Sequence, residues 1–128
     1  MILDSSAIVA IALNEPERPR FIDEINAAPS VAVAAPTLVE AGIVLSARTG
    51  IDATELLEAI LGEADIAVVE FGAAHWEVAI GAWRRFGKGR HMAGLNFGDC
   101  VSYATARVAN RPLLAKGDDF IHTDIELA

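Results

Sequence analysis

One cysteine, Cys100, is all that the 128 residues contain. A single thiol cannot close an internal disulfide, so nothing here calls for an oxidising compartment. Residues 1–14 carry only one charge, Asp4, and lack the basic segment that opens a secretory signal. Long apolar runs are missing too. Pro36 and Glu40 interrupt the best candidate well short of membrane-spanning length. These absences predict a soluble cytoplasmic protein with no membrane contact. Positive charge is scarce, with ten Lys and Arg against eighteen Asp and Glu and a net charge of −8. On average that balance opposes non-specific binding to nucleic acid. The three histidines, His75, His91 and His122, fall at a helix start or in loops, where none is placed for imidazole-based acid–base catalysis.

What is present has the balance of a globular domain: 53% of the residues are apolar and 22% charged. The length suits one domain, residues 1–128, with a substantial core. No repeat, low-complexity tract or linker divides it. Met1–Leu3 reads as a short buried strand and Ser5–Leu13 as an apolar helix capped by Ser5. Pro16 opens a second helical stretch in which Phe21, Ile25 and Ala28 recur at helical spacing. Ser30–Ala34 is strand-like, and Pro36 suits the first turn of a helix that runs to about Arg48 and closes at Gly50. Asp52-Ala53-Thr54-Glu55 has the pattern of a capping box, with Ile51 and Leu56 as a hydrophobic staple. The helix it opens is expected to bury Leu56, Leu57, Ile60 and Leu61. Ile66–Phe71 is rich in strand formers. Trp76, Ile80 and Trp83 mark one helix face, expected in the core or at an oligomer interface. Asn96–Asn110 is a further helix, Pro112–Ala115 a strand, and Thr123–Leu127 a candidate last strand. Strands alternating with helices predict an α/β fold, a mainly parallel central sheet with helices on both faces.

Against this apolar background four carboxylates stand out. Asp4 ends the opening strand, and Glu40 is the only ionisable group from Ser30 to Ala47. Asp99 is the only acid between Glu77 and Asp118, and Asp118 follows the apolar Pro112–Ala115. A carboxylate beside core-forming sequence is costly unless it is paired or binds a cation. In open α/β sheets, ligands sit beyond the carboxyl ends of the strands. Asp4 and Asp118 follow strands, while Glu40 and Asp99 lie early in helices, so all four are expected at one rim. Two bare carboxylates at ~4 Å repel by roughly 4 kcal/mol at an effective dielectric near 20. A divalent cation removes that cost, and oxygen donors without His or Cys favour Mg²⁺ or Mn²⁺ over zinc. Each acid also has a purely local reading, as a helix-capping residue at Asp99 or a turn residue at Asp4 and Asp118.

Four of the ten basic residues, Arg84, Arg85, Lys88 and Arg90, fall within seven positions. They read either as a solvated helix end or as an arm that holds a phosphodiester backbone near the acids. The glycines of the Gly87–Gly94 loop suggest mobility there. Two other functions fit clustered acids on such a sheet: a receiver-like signalling domain binding Mg²⁺ around a phosphorylated Asp, and a catalytically silent scaffold.

The motifs carry a resemblance that spans almost the whole chain. Met-Ile-Leu-Asp-Ser-Ser-Ala at the start, Pro36-Thr37-Leu38-Val39-Glu40, Leu95-Asn96-Phe97-Gly98-Asp99-Cys100 and Leu113-Leu114-Ala115-Lys116-Gly117-Asp118-Asp119-Phe120 are met in order. Together they resemble the PIN domain, and more narrowly the VapC toxins of type II toxin–antitoxin pairs. The resemblance implies a Mg²⁺-dependent endoribonuclease, with Mn²⁺ able to substitute, inhibited by a cognate VapB-like antitoxin. Asp4, Glu40 and Asp99 match the three principal acids and Asp118 the fourth, with Asp119 in reserve. All four are expected to serve as metal ligands and catalytic residues, Glu40 alternatively as a general base. Ser6 matches a hydroxyl position that orients a ligand or water, and Arg84, Arg85, Lys88 and Arg90 are candidate RNA contacts. The apolar faces around Leu56–Leu61 and Trp76–Trp83 are candidates for the antitoxin or for a homodimer.

Overall fold

Four short strands, β1 (Ile2–Leu3), β2 (Val31–Ala34), β3 (Ile66–Val69) and β4 (Leu113–Leu114), form one sheet in the order β3-β2-β1-β4. Every pairing is parallel. The computed structural model describes all 128 residues. Six helices connect and cover the strands: α1 (Ser5–Ala12), α2 (Arg18–Ala27), α3 (Ala35–Thr49), α4 (Thr54–Glu63), α5 (Trp76–Phe86) and α6 (Phe97–Ala109). No helix is long and apolar enough to cross a membrane.

Successive strand residues point to opposite faces, so even strands of two residues contribute to two cores. Met1, Leu3, Val31, Val33 and Leu114 pack on one side with Ile8, Phe21, Ile25 and Leu45. Ile2 and Leu113 point the other way and meet Ala82, Phe86, Tyr103 and Phe120. Helices on both faces follow directly from this alternation.

Register places the site. Ile2 pairs with Ala32 on one side and Leu113 on the other, so β1 lies between β2 and β4. The chain builds outward through β2 and β3, then returns across β1 to add β4. Ligands of parallel sheets gather where strand order reverses in this way. Asp4 stands at the carboxyl end of β1 there, with the segment leaving β4 beside it: the Asp4 N–H donates to the Leu114 carbonyl at 2.9 Å.

Several boundaries differ from expectation. Asp4, not Ser5, caps α1, because its carboxylate accepts the Ser6 N–H. The second helix starts at Arg18, with Pro19 rather than Pro16 in its first turn. Before α4, Asp52 accepts from both the N–H and the hydroxyl of Thr54, at 2.9 and 2.7 Å, a local turn that replaces the capping box. The staple does not form either, since Ile51 is 69% exposed. No residue of α4 is fully buried: Leu57, Ile60 and Leu61 partly cover the first core and Leu56 is exposed. Trp76, Ile80 and Trp83 lie outside the core, with exposures of 52, 53 and 40%. Strand β3 stops at Val69 rather than Phe71. The expected last strand shrinks to an isolated bridge between Leu113 and Leu127, because β4 is too short to template a ladder. A 3₁₀ turn at Asp119–His122 precedes it.

Candidate active site

Asp4 is 3% exposed, an extreme value for a carboxylate. Its Oδ2 accepts the Ser6 N–H at 2.9 Å and the Ser6 hydroxyl at 2.6 Å. Its Oδ1 is buried with no partner. Glu17 Oε2 and Glu24 Oε2 also lack a hydrogen bond, but those acids have Lys116 and Arg20 beside them, whereas Asp4 has no ion-pair partner. Ser6 does more than cap. Its oxygen also accepts the Lys116 N–H at 2.9 Å, tying the end of β1 to the segment leaving β4.

Glu40 projects from α3 and rests its carboxyl against Gly98 in the first turn of α6. A Cβ at Gly98 would collide with that carboxyl, reaching Oε1 at 2.6 Å. Glycine costs about 1 kcal/mol in a helix, and here it admits the acid. Burial, and then the charge of Asp4, push the Glu40 carboxyl above its usual range, while the Ser5 hydroxyl works the other way. Asp99 is the third residue of α6 and half of a true capping box. Its Oδ2 accepts the Asn96 N–H, and Asn96 Oδ1 accepts the Asp99 N–H, both at 2.9 Å. The local reading of Asp99 as a helix cap is therefore correct, and it is incomplete. Burial drives its carboxyl up to about 6, the Asn96 amide opposes this, and the charges of Asp4, Asp119 and Glu40 raise it further. Burial and like charge thus act together on Asp99, the combination that makes a functional-site candidate.

The fourth position is shared by two exposed acids, Asp118 and Asp119. Asp118, expected to face the others, is exposed and begins the 3₁₀ turn without making a capping bond. Asp119 is the neighbour whose charge reaches Asp99. The acids are electrostatically coupled, yet no three of them close into a ready-made coordination cage. Asp4, Glu40 and Asp99 thus bring hard oxygens to one rim, with Asp4 Oδ1 unpartnered.

The basic residues separate. Arg85 is engaged by Asp124 at 2.9 Å and lies 4.6 Å over the Phe86 ring. Arg90 lies 4.4 Å over the Trp83 ring. Arg84 and Lys88 are exposed and make no ion pair. The Gly87–Gly94 loop is hydrogen-bonded rather than loose: Lys88 N–H donates to Leu95 O at 3.0 Å and Leu95 N–H to Phe86 O at 2.9 Å. Gly87 is required there because a Cβ would strike Trp83. Sequence reasoning missed Gly98. A glycine inside the first turn of a helix, one residue before an acid, is the signal that points to Gly98.

Comparison with known proteins identifies the family. The PIN domain family matches residues 1–126. Ribonuclease VapC36 of Mycobacterium tuberculosis is 44% identical over 127 residues, covering 98% of this chain and 91% of the relative. Ribonuclease VapC of Mycolicibacterium smegmatis is 40% identical over 125 residues, covering 98% and 97%. Among solved structures, Mycobacterium tuberculosis VapC20, described as a sarcin-ricin loop cleaving toxin, superposes with a TM-score of 0.79 at 20% identity, covering 99% of this chain and 97% of that one. A toxin–antitoxin complex from Klebsiella pneumoniae superposes with a TM-score of 0.72 at 12% identity, covering 99% and 95%. At those identities the structures speak for the fold alone. With the family match spanning nearly the whole chain and close relatives of 40–44% identity, the protein belongs to the PIN-domain VapC family.

Proposed function

We propose that this chain is the toxin of a type II toxin–antitoxin pair, an endoribonuclease that hydrolyses RNA phosphodiester bonds with Mg²⁺, or Mn²⁺ in its place. The observation that carries this reading is the buried, partnerless Oδ1 of Asp4 in a cluster of acids whose charges act on one another. Asp4 and Asp99 would hold the metal, with Glu40 and one of the Asp118–Asp119 doublet completing the site. When bound, the cation neutralises charge on the phosphoryl oxygens and lowers the pKa of the attacking water. Ser6 fixes Asp4 by taking up Oδ2, which leaves Oδ1 free for the ligand. Glu40, raised by burial and by Asp4, is placed to accept a proton at its carboxylate. Gly98 keeps that carboxylate at the first turn of α6, where the N-terminal helix dipole favours negative charge.

An acid rim of this kind also suits an inhibitor that presents Arg or Lys, which supports a VapB-like antitoxin as partner. The names of the relatives support the ribonuclease reading. The receiver-like alternative falls with the family assignment. A silent scaffold would have no need of four repelling acids. Purified protein incubated with total RNA and Mg²⁺ should cut it, whereas chelator or Asp99→Asn should abolish cutting. Equal cutting in all three conditions rejects the reading.

A further inference from the structure

One cation is built into the edge of the acid rim, and it is turned away from it. Lys116 leaves β4 with its main-chain N–H on the Ser6 hydroxyl at 2.9 Å, and that hydroxyl donates to Asp4 Oδ2 at 2.6 Å. A single side-chain oxygen therefore separates the Lys116 backbone from the Asp4 carboxylate. The ammonium goes elsewhere. It meets Glu15 Oε2 at 2.5 Å and Glu17 Oε2 at 3.3 Å, two acids of the segment that joins α1 to α2. The charges that act on Asp99 and Glu40 are those of other acids, and the charge of Lys116 is not among them.

Nothing in the covalent geometry of a lysine imposes that direction. Its ammonium is a compact charge with three donors on a flexible four-carbon stem. Unpaired carboxylates one hydroxyl away attract it as surely as Glu15 and Glu17 do. The two outer acids are held in place against that attraction. Asn14 turns the chain after α1 with a left-handed φ of 54°, and the Glu15 N–H donates to the Ala10 carbonyl at 2.9 Å. Arg48 of α3 steadies the other oxygen of Glu15 at 3.4 Å. Glu17 Oε2 is buried and has Lys116 alone beside it. Two carboxylates on one ammonium exceed what charge balance of a pair requires.

We propose that Glu15 and Glu17 form a latch that holds the Lys116 ammonium off the acid rim and so keeps the rim open to a divalent cation. The latch rests on the metal-binding reading above. Released from Glu15 and Glu17, Lys116 turns to the rim carboxylates and competes there with the metal.

The test is calorimetric titration of the metal-free full chain with Mg²⁺, which reads binding rather than cutting. Glu15→Gln/Glu17→Gln keeps both side-chain shapes and should weaken Mg²⁺ binding by about fivefold, the upper range for a partly exposed ion pair. Adding Lys116→Met, which retains the N–H to Ser6, should return affinity to within about twofold of wild type, the margin expected of independent sites. Adding Arg48→Met instead removes the same charge from the far side of Glu15 and should restore nothing. Thermal melts show which variants fold, and if the double variant does not, Glu15→Gln alone carries the same comparison with the same signs. A double variant that binds Mg²⁺ like wild type overturns the latch and leaves the metal site standing. So does a Lys116→Met that restores no more affinity than Arg48→Met, since the ion pair is then a brace or a diffuse field. A wild type that binds no Mg²⁺ removes the latch and the metal-binding reading together.

Discussion

Asp99 and Asp124 are the same residue type, both near α6, and the fold treats them in opposite ways. Asp124 receives the Tyr103 hydroxyl at 2.6 Å, Arg85 at 2.9 Å and Arg107 at 2.7 Å. Burial opposes its ionisation, but Tyr103 and the two guanidinium groups more than offset that and hold the carboxyl at about 2. Glu15 is treated similarly, clasped by Lys116 at 2.5 Å and by Arg48 at 3.4 Å. Asp99 receives one backbone N–H and three neighbouring negative charges, and stands at about 6. Cations are within the chain's means and are withheld from the rim. Structural acids here are paired, whereas the rim acids are left hungry for a charge the protein does not supply.

The contrast can be broken most sharply by mutation. Asp99→Asn should reduce Mg²⁺-dependent RNA cutting by at least ~100-fold, the scale of loss seen even when groups that merely support a metal site are removed. Asp124→Asn should leave cutting within a few-fold of wild type and cost about 1 kcal/mol of stability, as for a partly exposed ion-pair network. Comparable losses of activity from both would erase the distinction. Next in size, Gly98→Ala should displace the Glu40 carboxyl and lower activity by about tenfold, read as a fall in cleavage rate without a fall in melting temperature. Of the doublet, Asp119→Asn should lower apparent Mg²⁺ affinity and Asp118→Asn should not.

A smaller effect sharpens the comparison through pH. A group whose folded pKa is raised contributes stability below its unfolded pKa and loses it as pH rises through the folded value. For Asp99 that window runs from the ordinary carboxylate range to about 6. Metal-free protein should therefore lose stability across that window, a loss that Asp99→Asn removes. Asp124, depressed to about 2, acts in the opposite sense: its contribution persists at neutral pH and disappears only as pH falls towards that value. Melting curves across the acid range separate the two.

Much of this was legible in sequence because the informative residues are out of keeping with their surroundings. An acid at the end of Met1-Ile2-Leu3, and another alone in Leu38–Leu45, must be explained whatever the fold. Alternating strands and helices then placed them at one rim. Less was legible where tertiary geometry decides. The capping pattern at Asp52–Glu55 lost to a tighter local turn. The Trp76–Trp83 stripe has helical periodicity, and periodicity does not tell a core from a face open to partners. Which of Asp118 and Asp119 bears on Asp99 depends on a single 3₁₀ turn that no pattern announces.

The most direct test is calorimetric titration of metal-free protein with Mg²⁺ at neutral pH. Saturable binding that survives Asp124→Asn and disappears in Asp99→Asn is the expected result. Indistinguishable heats from all three proteins would contradict the claim that the rim acids exist to capture a cation.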